Sequence, residues 1–380
     1  MEKGCGGLAS QYTLSTSEIS SEEATKYDAA LALCWSDLLQ REVPMDAAEL
    51  WLPLRMGGCG ATSARARMAA APWATWGAAM DEVLTHMGAD SVEELFESVP
   101  SIGEEVGRLH QRLVDQGTLP SVAYASPAQA IAIKRPLRTL VAHVHKTALR
   151  SLRAGMDDSQ AAFLRSASGP AAGAFLEPPL DDRWVLTNQR FRTATLRRLG
   201  VPYPMLPQAP ATPPACPKTT AQGRTCGKAC DAQGMHLECC APEGALIARH
   251  DGIVRCVGVL VARALDPKPK LEQIIPELAR PVHGQMGRAR LDVVVHDGVS
   301  RSLLDVVVVS PYASNASFTA ACARRDGHAS RRAAIAKRTR YPSQDLVPFA
   351  LETGGRIGTD ARAFIVRMSE TAEKPWRKLQ

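Results

Sequence analysis

Residues Arg288 to Pro311 read RARLDVVVHDGVSRSLLDVVVVSP, two valine-rich runs that each open on an aspartate. β-Branched residues lose side-chain freedom in a helix and suit a pleated sheet, so both runs are predicted strands. The HDGVSRS segment between them supplies the Asp and Gly of a hairpin turn. Asp292 and Asp305 head the two runs with twelve residues between them. Matching positions on adjacent strands put the two carboxylates side by side, where they can hold one hard divalent cation, Mg²⁺ or Mn²⁺. A lone aspartate at a strand start is more often a turn or end-capping residue. The pair, together with the basic segment C-terminal to it, favours a metal site.

That segment is helix-compatible: from Phe318 to Tyr341 it carries seven Lys or Arg against one Asp. A third apolar run spans Leu346 to Leu351 and ends at Glu352. A basic helix is commonly a solvated face, but beside an acidic strand pair it also suits a phosphate backbone. Lys337 is the cation of most interest, because a lysine near a metal-bound phosphate can position water or neutralise developing charge.

These residues carry a family resemblance. Arg290-Leu291-Asp292, twelve residues, then Asp305 resembles the R/K-P-D…D signature of the restriction-like endonuclease at the C-terminus of one class of non-LTR retrotransposon polyproteins. That domain belongs to the PD-(D/E)xK nuclease superfamily, whose core is a mixed sheet flanked by helices. VVSPY, Lys337, Tyr341 and VPFALETGGRIG are similar to the tail of such proteins. Leu291 stands where the family prefers proline, and Val307 where the superfamily's D-x-K lysine would be. The resemblance therefore implies a lysine from the next helix, and Lys337 is the candidate. It also implies DNA as substrate, with Arg290 and Tyr341 as substrate contacts, and element RNA as a second partner.

Five of the ten cysteines fall between Cys216 and Cys240, with His236 among them and His250 soon after. Nothing near Met1 resembles a signal peptide, so an intracellular, nuclear chain with reduced cysteines is expected. Clustered Cys and His then favour zinc, which takes four such ligands in a tetrahedron. The spacing Cys216-x9-Cys226-x9-His236-x3-Cys240 supplies one set, while Cys230, Cys239 and His250 are alternatives. The retrotransposon proteins carry a Cys-Cys-His-Cys knuckle before the nuclease, followed by an Arg-His dipeptide. Arg249-His250 resembles that dipeptide.

The N-terminal half reads as helical, with Ala, Leu and Met at helical spacing over residues 24–41, 62–87, 101–116, 127–154 and 181–199. WLPLRMGGCGATSA from Trp51 and LTNQRFRTATLRRLGVPYP from Leu186 resemble segments that follow the polymerase and precede the knuckle in the same proteins. Trp35, Trp51, Trp73, Trp76 and Trp184 are expected as core or groove aromatics. Asp157-Asp158 and Asp181-Asp182 sit at polar helix starts, where aspartate caps, and do not read as polymerase ligands.

The expected fold is an α-helical N-terminal region plus an α/β, mixed-sheet, restriction-endonuclease-like C-terminal domain. Its organisation is a disordered N-terminus over 1–23, a helical post-polymerase region over 24–200 and a Pro-rich linker over 201–215. A zinc-knuckle-like connector over 216–250, an endonuclease domain over 251–367 and a tail over 368–380 complete it. The net charge of +6 tilts toward polyanionic partners. No apolar run reaches the length of a membrane span. Walker, dinucleotide-binding and hydrolase-elbow motifs are not found, so neither a membrane nor a nucleotide cofactor is expected.

Overall fold

The computed structural model describes residues 19–115, 126–131, 136–179, 182–202, 215–216, 218–219, 223–231, 234–240, 244–264, 268–282, 285–286, 288–296, 300–312 and 315–371. Most of the expected N-terminal segment 1–23 and of the linker 201–215, the hairpin tip at 297–299 and the tail beyond 371 lie outside the described residues. The chain divides into two units, one formed by residues 1–53 and 60–155, the other by 54–59 and 156–380.

The first unit is helical: α1 (Ser21–Leu39), α2 (Ala48–Trp51), α3 (Ala70–Met87), α4 (Val92–Ser98), α5 (Pro100–Asp115), α6 (Pro127–Ile131) and α7 (Pro136–Ala154). Ser20 and Glu23 close a capping box at the start of α1. Val106, Leu109 and Leu113 recur at helical spacing on α5 and bury against Trp73 and Met80 of α3, Leu95 of α4 and Leu140 of α7. The helix expected over 62–87 begins only at Ala70. Asp28 is the reason: its carboxylate accepts from Ser63 Oγ and from the Ala64 and Arg65 amides, which holds that segment in a turn.

In the second unit, α8 (Asp158–Ser166) starts at a capping box formed by Asp157 and Gln160, the role expected of the first Asp-Asp pair. Of the second pair, Asp181 lies outside the described residues and Asp182 opens a 3₁₀ turn, Asp182–Trp184. Helix α9 (Asn188–Arg198) is capped by Thr187, so the helix expected over 181–199 starts seven residues later. Trp184 is exposed and does not join the core.

Beyond α10 (Met235–Cys239) and α11 (Ala245–Ala264) the chain enters a sheet of β1 (Lys270–Ile274), β4 (Arg290–His296), β5 (Arg301–Val309) and β6 (Leu346–Glu352), in the order β1-β4-β5-β6. Two short strands, β2 (Pro281–Val282) and β3 (Gln285–Met286), pair separately. β4 is antiparallel to β1 and β5, whereas β5 and β6 run parallel, so the sheet is mixed. The parallel step is made by α12 (Ala316–Arg324) and α13 (His328–Arg340), as a parallel pair demands a crossover. The basic stretch is thus two helices. Asp326 and Gly327 break it, and Gly327 takes a φ of 65°, a left-handed conformation natural to glycine. Pro348 lies on β6, which is an edge of the sheet, where a missing amide is tolerated.

Period-two alternation sorts the valines. Val293, Val295, Leu304 and Val306 join Phe349 in a core with Val254, Val257 and Val261 of α11 and with Phe364 and Met368 of α14 (Thr359–Thr371). Leu303, Val294 and Leu346 pack with Tyr341 in a second cluster. Asp305, between Leu304 and Val306, therefore faces the side where α13 lies. Glu352 ends β6 buried, and its Oε1 accepts from Ser330 N (3.0 Å) and Ser330 Oγ (2.9 Å) in the first turn of α13. A carboxylate there meets the positive end of the helix, fixing α13 over the strands. The turn after β6 lies against the end of α8: a side chain at Gly354 would approach the Ala167 nitrogen to 2.6 Å, so only glycine fits.

Candidate active site and metal centre

The register of β4 and β5 runs from His296↔Arg301 to Val293↔Leu304. One further step brings Asp292 level with Asp305, as their spacing in the sequence requires. Asp292 Oδ2 accepts the Val306 amide at 2.7 Å, tying its carboxylate to the neighbouring strand. Asp305 is 4% exposed. Its Oδ1 accepts from Lys337 Nζ at 2.7 Å, while its Oδ2 is buried without a hydrogen-bond partner among the described residues. Burial pushes the Asp305 carboxyl above the usual carboxylate range, and Asp292 pushes the same way, against the opposing pull of Lys337.

Lys337 sits in the last turn of α13, and Tyr341 caps that helix by donating its amide to Lys337 O at 2.8 Å. Tyr341 is buried in the cluster that holds Leu291 and Leu303. Burial raises its hydroxyl above the ordinary phenol value, and the charges of Asp305 and Asp292 add to that while Arg340 opposes it. The structure thus gathers Asp292, Asp305, Lys337 and Tyr341. Arg290 stands apart: its side chain is 64% exposed and its guanidinium lies 3.5 Å from Glu272 Oε2 on β1.

A residue that sequence reasoning placed elsewhere joins this group. His250 Nε2 lies 3.4 Å from Asp292 Oδ2, and its Nδ1 lies 3.2 Å from Asp251 Oδ1. Burial lowers the affinity of the imidazole for a proton, but Asp251 and Asp292 outweigh it and the pKa is raised. His250 thus lies outside the four-residue Cys/His set. Its nearness to the cysteines and the Arg-His dipeptide marked it out, and both signals point to the Cys/His cluster and away from the strands.

The second centre comprises Cys216, Cys226, His236 and Cys240, whose ligand atoms all lie within 4.8 Å of one another. Cys216 Sγ and Cys240 Sγ are 4.0 Å apart, and Cys226 Sγ is 3.5 Å from His236 Nε2. These separations suit a tetrahedral site, in which sulfurs about 2.3 Å from the ion lie just under 4 Å apart. The backbone builds it in two halves. Cys216 and Cys226 face each other in a narrow loop, where the Cys216 amide donates to Lys228 O and the Cys226 amide to Lys218 O, both at 2.7 Å. His236 and Cys240 come from α10 and its C-terminal cap, and the first amides of that helix are held by Asp231: Met235 N and His236 N both donate to its carboxylate at 2.8 Å. The cluster can hold a metal such as zinc. Of the alternatives, Cys239 turns away to contact Tyr312 O at 3.4 Å, and Cys230 is buried beside Cys216 outside the four-residue set.

A buried polar knot adjoins this centre. Arg197 Nε donates to Glu238 Oε1 at 2.8 Å and its terminal nitrogen to Tyr312 Oη at 2.6 Å, and its guanidinium lies 3.6 Å from the centre of the Phe163 ring. Tyr312 Oη also bonds Glu238. Arg198, equally buried, donates to the carbonyls of Leu54, Gly58 and Ala172. Two adjacent arginines thereby anchor α9 to the knuckle helix and to the 54–59 segment.

No protein-family model matches the chain, and no curated protein matches it. No described helix is long and apolar enough to cross a membrane.

Proposed function

We propose that the chain is a metal-dependent DNA endonuclease of the kind found at the C-terminus of non-LTR retrotransposon polyproteins, with a zinc knuckle ahead of it. The observation that carries this reading is the constellation at the strand pair: Asp292 level with Asp305, and Lys337 Nζ 2.7 Å from Asp305. Lys337 comes from α13, the second of the two helices that follow β5 and not the next helix that the resemblance implies, yet its ammonium reaches the place of a substitute for the lysine missing at Val307. The mixed sheet with a helical crossover supports the reading, since it is the kind of scaffold such nucleases use.

Asp292 and Asp305 would hold Mg²⁺ or Mn²⁺. The fit is chemical: a buried carboxylate oxygen, Asp305 Oδ2, lacks a partner among the described residues, and hard oxygen donors suit these ions. When bound, such an ion supplies Lewis-acid stabilisation of charge on the phosphate. The residues of the chain do the positioning. Lys337, in contact with Asp305 and 22% exposed, can turn one ammonium proton toward the attacking water or the scissile phosphate. Tyr341, one turn further along the chain, packs under the strands and holds the end of α13 in place. Arg331 and Arg340 on α13 are exposed and offer charge to a phosphate backbone, whereas Arg338 is held by Asp360. The four-residue Cys/His set would hold zinc and fix the approach of α11.

The test is a labelled DNA duplex incubated with the full chain in Mg²⁺ or Mn²⁺, with binding and cleavage scored separately. The expected result is cleavage by wild type, and retained binding with no cleavage by Asp305→Asn. The Val307 departure favours a rival, a nucleic-acid-binding module without catalysis. Salt-dependent binding with no cleavage in either cation would establish that rival.

A further inference from the structure

We infer that the outward face of α7 is a phosphate-binding surface of its own, on which Arg138, Lys146 and Arg150 grip the backbone of a DNA duplex. It lies in the helical unit, away from the strand pair, and takes only the choice of DNA from the nuclease reading.

Charge distribution is the first observation. Outside residues 116–155 the helical unit carries 18 Asp and Glu against 7 Lys and Arg, whereas those 40 residues carry no carboxylate and 6 Lys and Arg. Four of the six, Arg138, Lys146, Arg150 and Arg153, fall on α7. An ordinary solvated face mixes both signs, while a stretch of one sign in an acidic unit makes a local field that draws a polyanion.

Geometry is the second. The inner side of α7 is committed: Leu140 is buried with Trp73 and Leu109, Val141 packs on that core, and Val144, His145 and Ala148 line a cavity shared with α1 and α2. The carboxylates of Asp28 and Asp46 belong to that inner cavity. Arg138, Lys146 and Arg150 are exposed, and no ion pair or hydrogen bond engages their side chains among the described residues. At 3.6 residues per turn and 1.5 Å per residue, they spread over about 120° of the circumference and run about 18 Å along the axis.

The partner follows from what the face lacks. A helix that lies on a membrane sinks its apolar side into the lipid, and here that side is taken by the core. Single-stranded nucleic acid is gripped through aromatic side chains that stack on its bases, and α7 has no Phe, Tyr or Trp. A straight row of cations suits the regular phosphates of a duplex. Such contacts hold and orient the polymer without reading its sequence.

The experiment measures binding of a labelled DNA duplex by the full chain across a salt series, with no Mg²⁺ or Mn²⁺ added so that nothing is cut. Wild type is compared with Arg138→Gln/Lys146→Gln/Arg150→Gln, with the single Lys146→Gln, and with the charge-preserving Arg138→Lys/Lys146→Arg/Arg150→Lys. A control, Lys26→Gln/Lys268→Gln/Lys270→Gln, removes three exposed lysines elsewhere. Glutamine forms helix about as readily as Lys or Arg, so α7 is kept. The triple glutamine variant is expected to lose roughly tenfold or more in affinity, and its slope of log K against log salt falls by about three, one per cation. Lys146→Gln lowers the slope by about one, the charge-preserving variant binds as wild type does, and the lysine control falls far less than the α7 triple. An unchanged slope in both glutamine variants overturns the inference, as does an equal loss in the lysine control, which would make net charge the cause. Tighter binding of single-stranded DNA, of an RNA duplex or of phosphatidylserine vesicles through the same three residues overturns the assignment to duplex DNA. Asp305→Asn is expected to bind as wild type does, so a chain that binds through α7 yet cuts nothing in Mn²⁺ removes the nuclease reading and leaves this surface standing.

Discussion

Replacing Lys337 by methionine tests how the acidic site is held together. Lys337 Nζ donates to Asp305 Oδ1, and Oδ2 has no hydrogen-bond partner among the described residues. Asp305 has 6% of its side chain exposed and Lys337 has 22%. Breaking a buried pair from one side costs about 3–5 kcal/mol, because the remaining charge is left uncompensated. Solvent reaches the lysine end, and screening reduces the figure to about 2–3 kcal/mol. With a urea slope of about 2–3 kcal/mol per molar, the midpoint of the second unit falls by roughly 1 M.

The loss depends on pH in a defined sense. The Asp305 carboxyl already sits above the usual range through burial, so the folded state holds more of a proton than the unfolded state only between the ordinary carboxylate value and the raised one, and is ionised above it. Removing the ammonium raises it further. The variant escapes its penalty by protonating, so the deficit is largest at neutral pH and shrinks as pH falls through the raised value. The assay is urea unfolding of wild type, Lys337→Met, Asp305→Asn and the double variant at neutral and mildly acidic pH. A coupling energy near zero, or a deficit that grows on acidification, refutes the reasoning.

The geometry sets three further outcomes. Arg197→Met strips Glu238 and Tyr312 of their buried cation and is expected to cost about 3 kcal/mol in urea unfolding, with a loss below about 1 kcal/mol counting against the knot. A strong chelator is expected to remove one zinc per chain and lower the unfolding temperature of wild type but not of Cys226→Ser, because metal affinity acts as folding free energy. His328 has its pKa lowered by burial first, and then by Arg325, Arg331 and Arg332. Its folded value lies below the unfolded one, so stability is full above the unfolded pKa and is lost as pH falls. His328→Gln should therefore flatten the acid limb of the stability curve, and an unaltered limb would count against this.

Local pattern governs the parts that were legible in the sequence. LDVVV and LDVVVV announce strands because valine disfavours helix over such runs, and the interval between the aspartates sets the register. The Cys/His ligands were legible because zinc demands four donors in a short span. His250 was not, since its partner Asp292 lies across the fold and nothing local marks a histidine for a strand. Arg197 and Arg198 look like the solvated end of a basic helix, yet both are buried by long-range acceptors. The 54–59 segment belongs to the second unit through bonds to Arg198, a tie that no pattern within Leu54 to Cys59 could reveal.

The central claim is that Asp292 and Asp305 support metal-dependent hydrolysis of a DNA phosphodiester. Its most direct measurement is conversion of supercoiled plasmid to open circle by the full zinc-loaded chain in Mn²⁺ or Mg²⁺, followed by treatment with DNA ligase. The account predicts open circles from wild type that ligase can seal, which requires 3′-hydroxyl and 5′-phosphate ends, and none from Asp305→Asn. Plasmid left supercoiled by a folded protein in both cations, or equal nicking by Asp305→Asn, would contradict it.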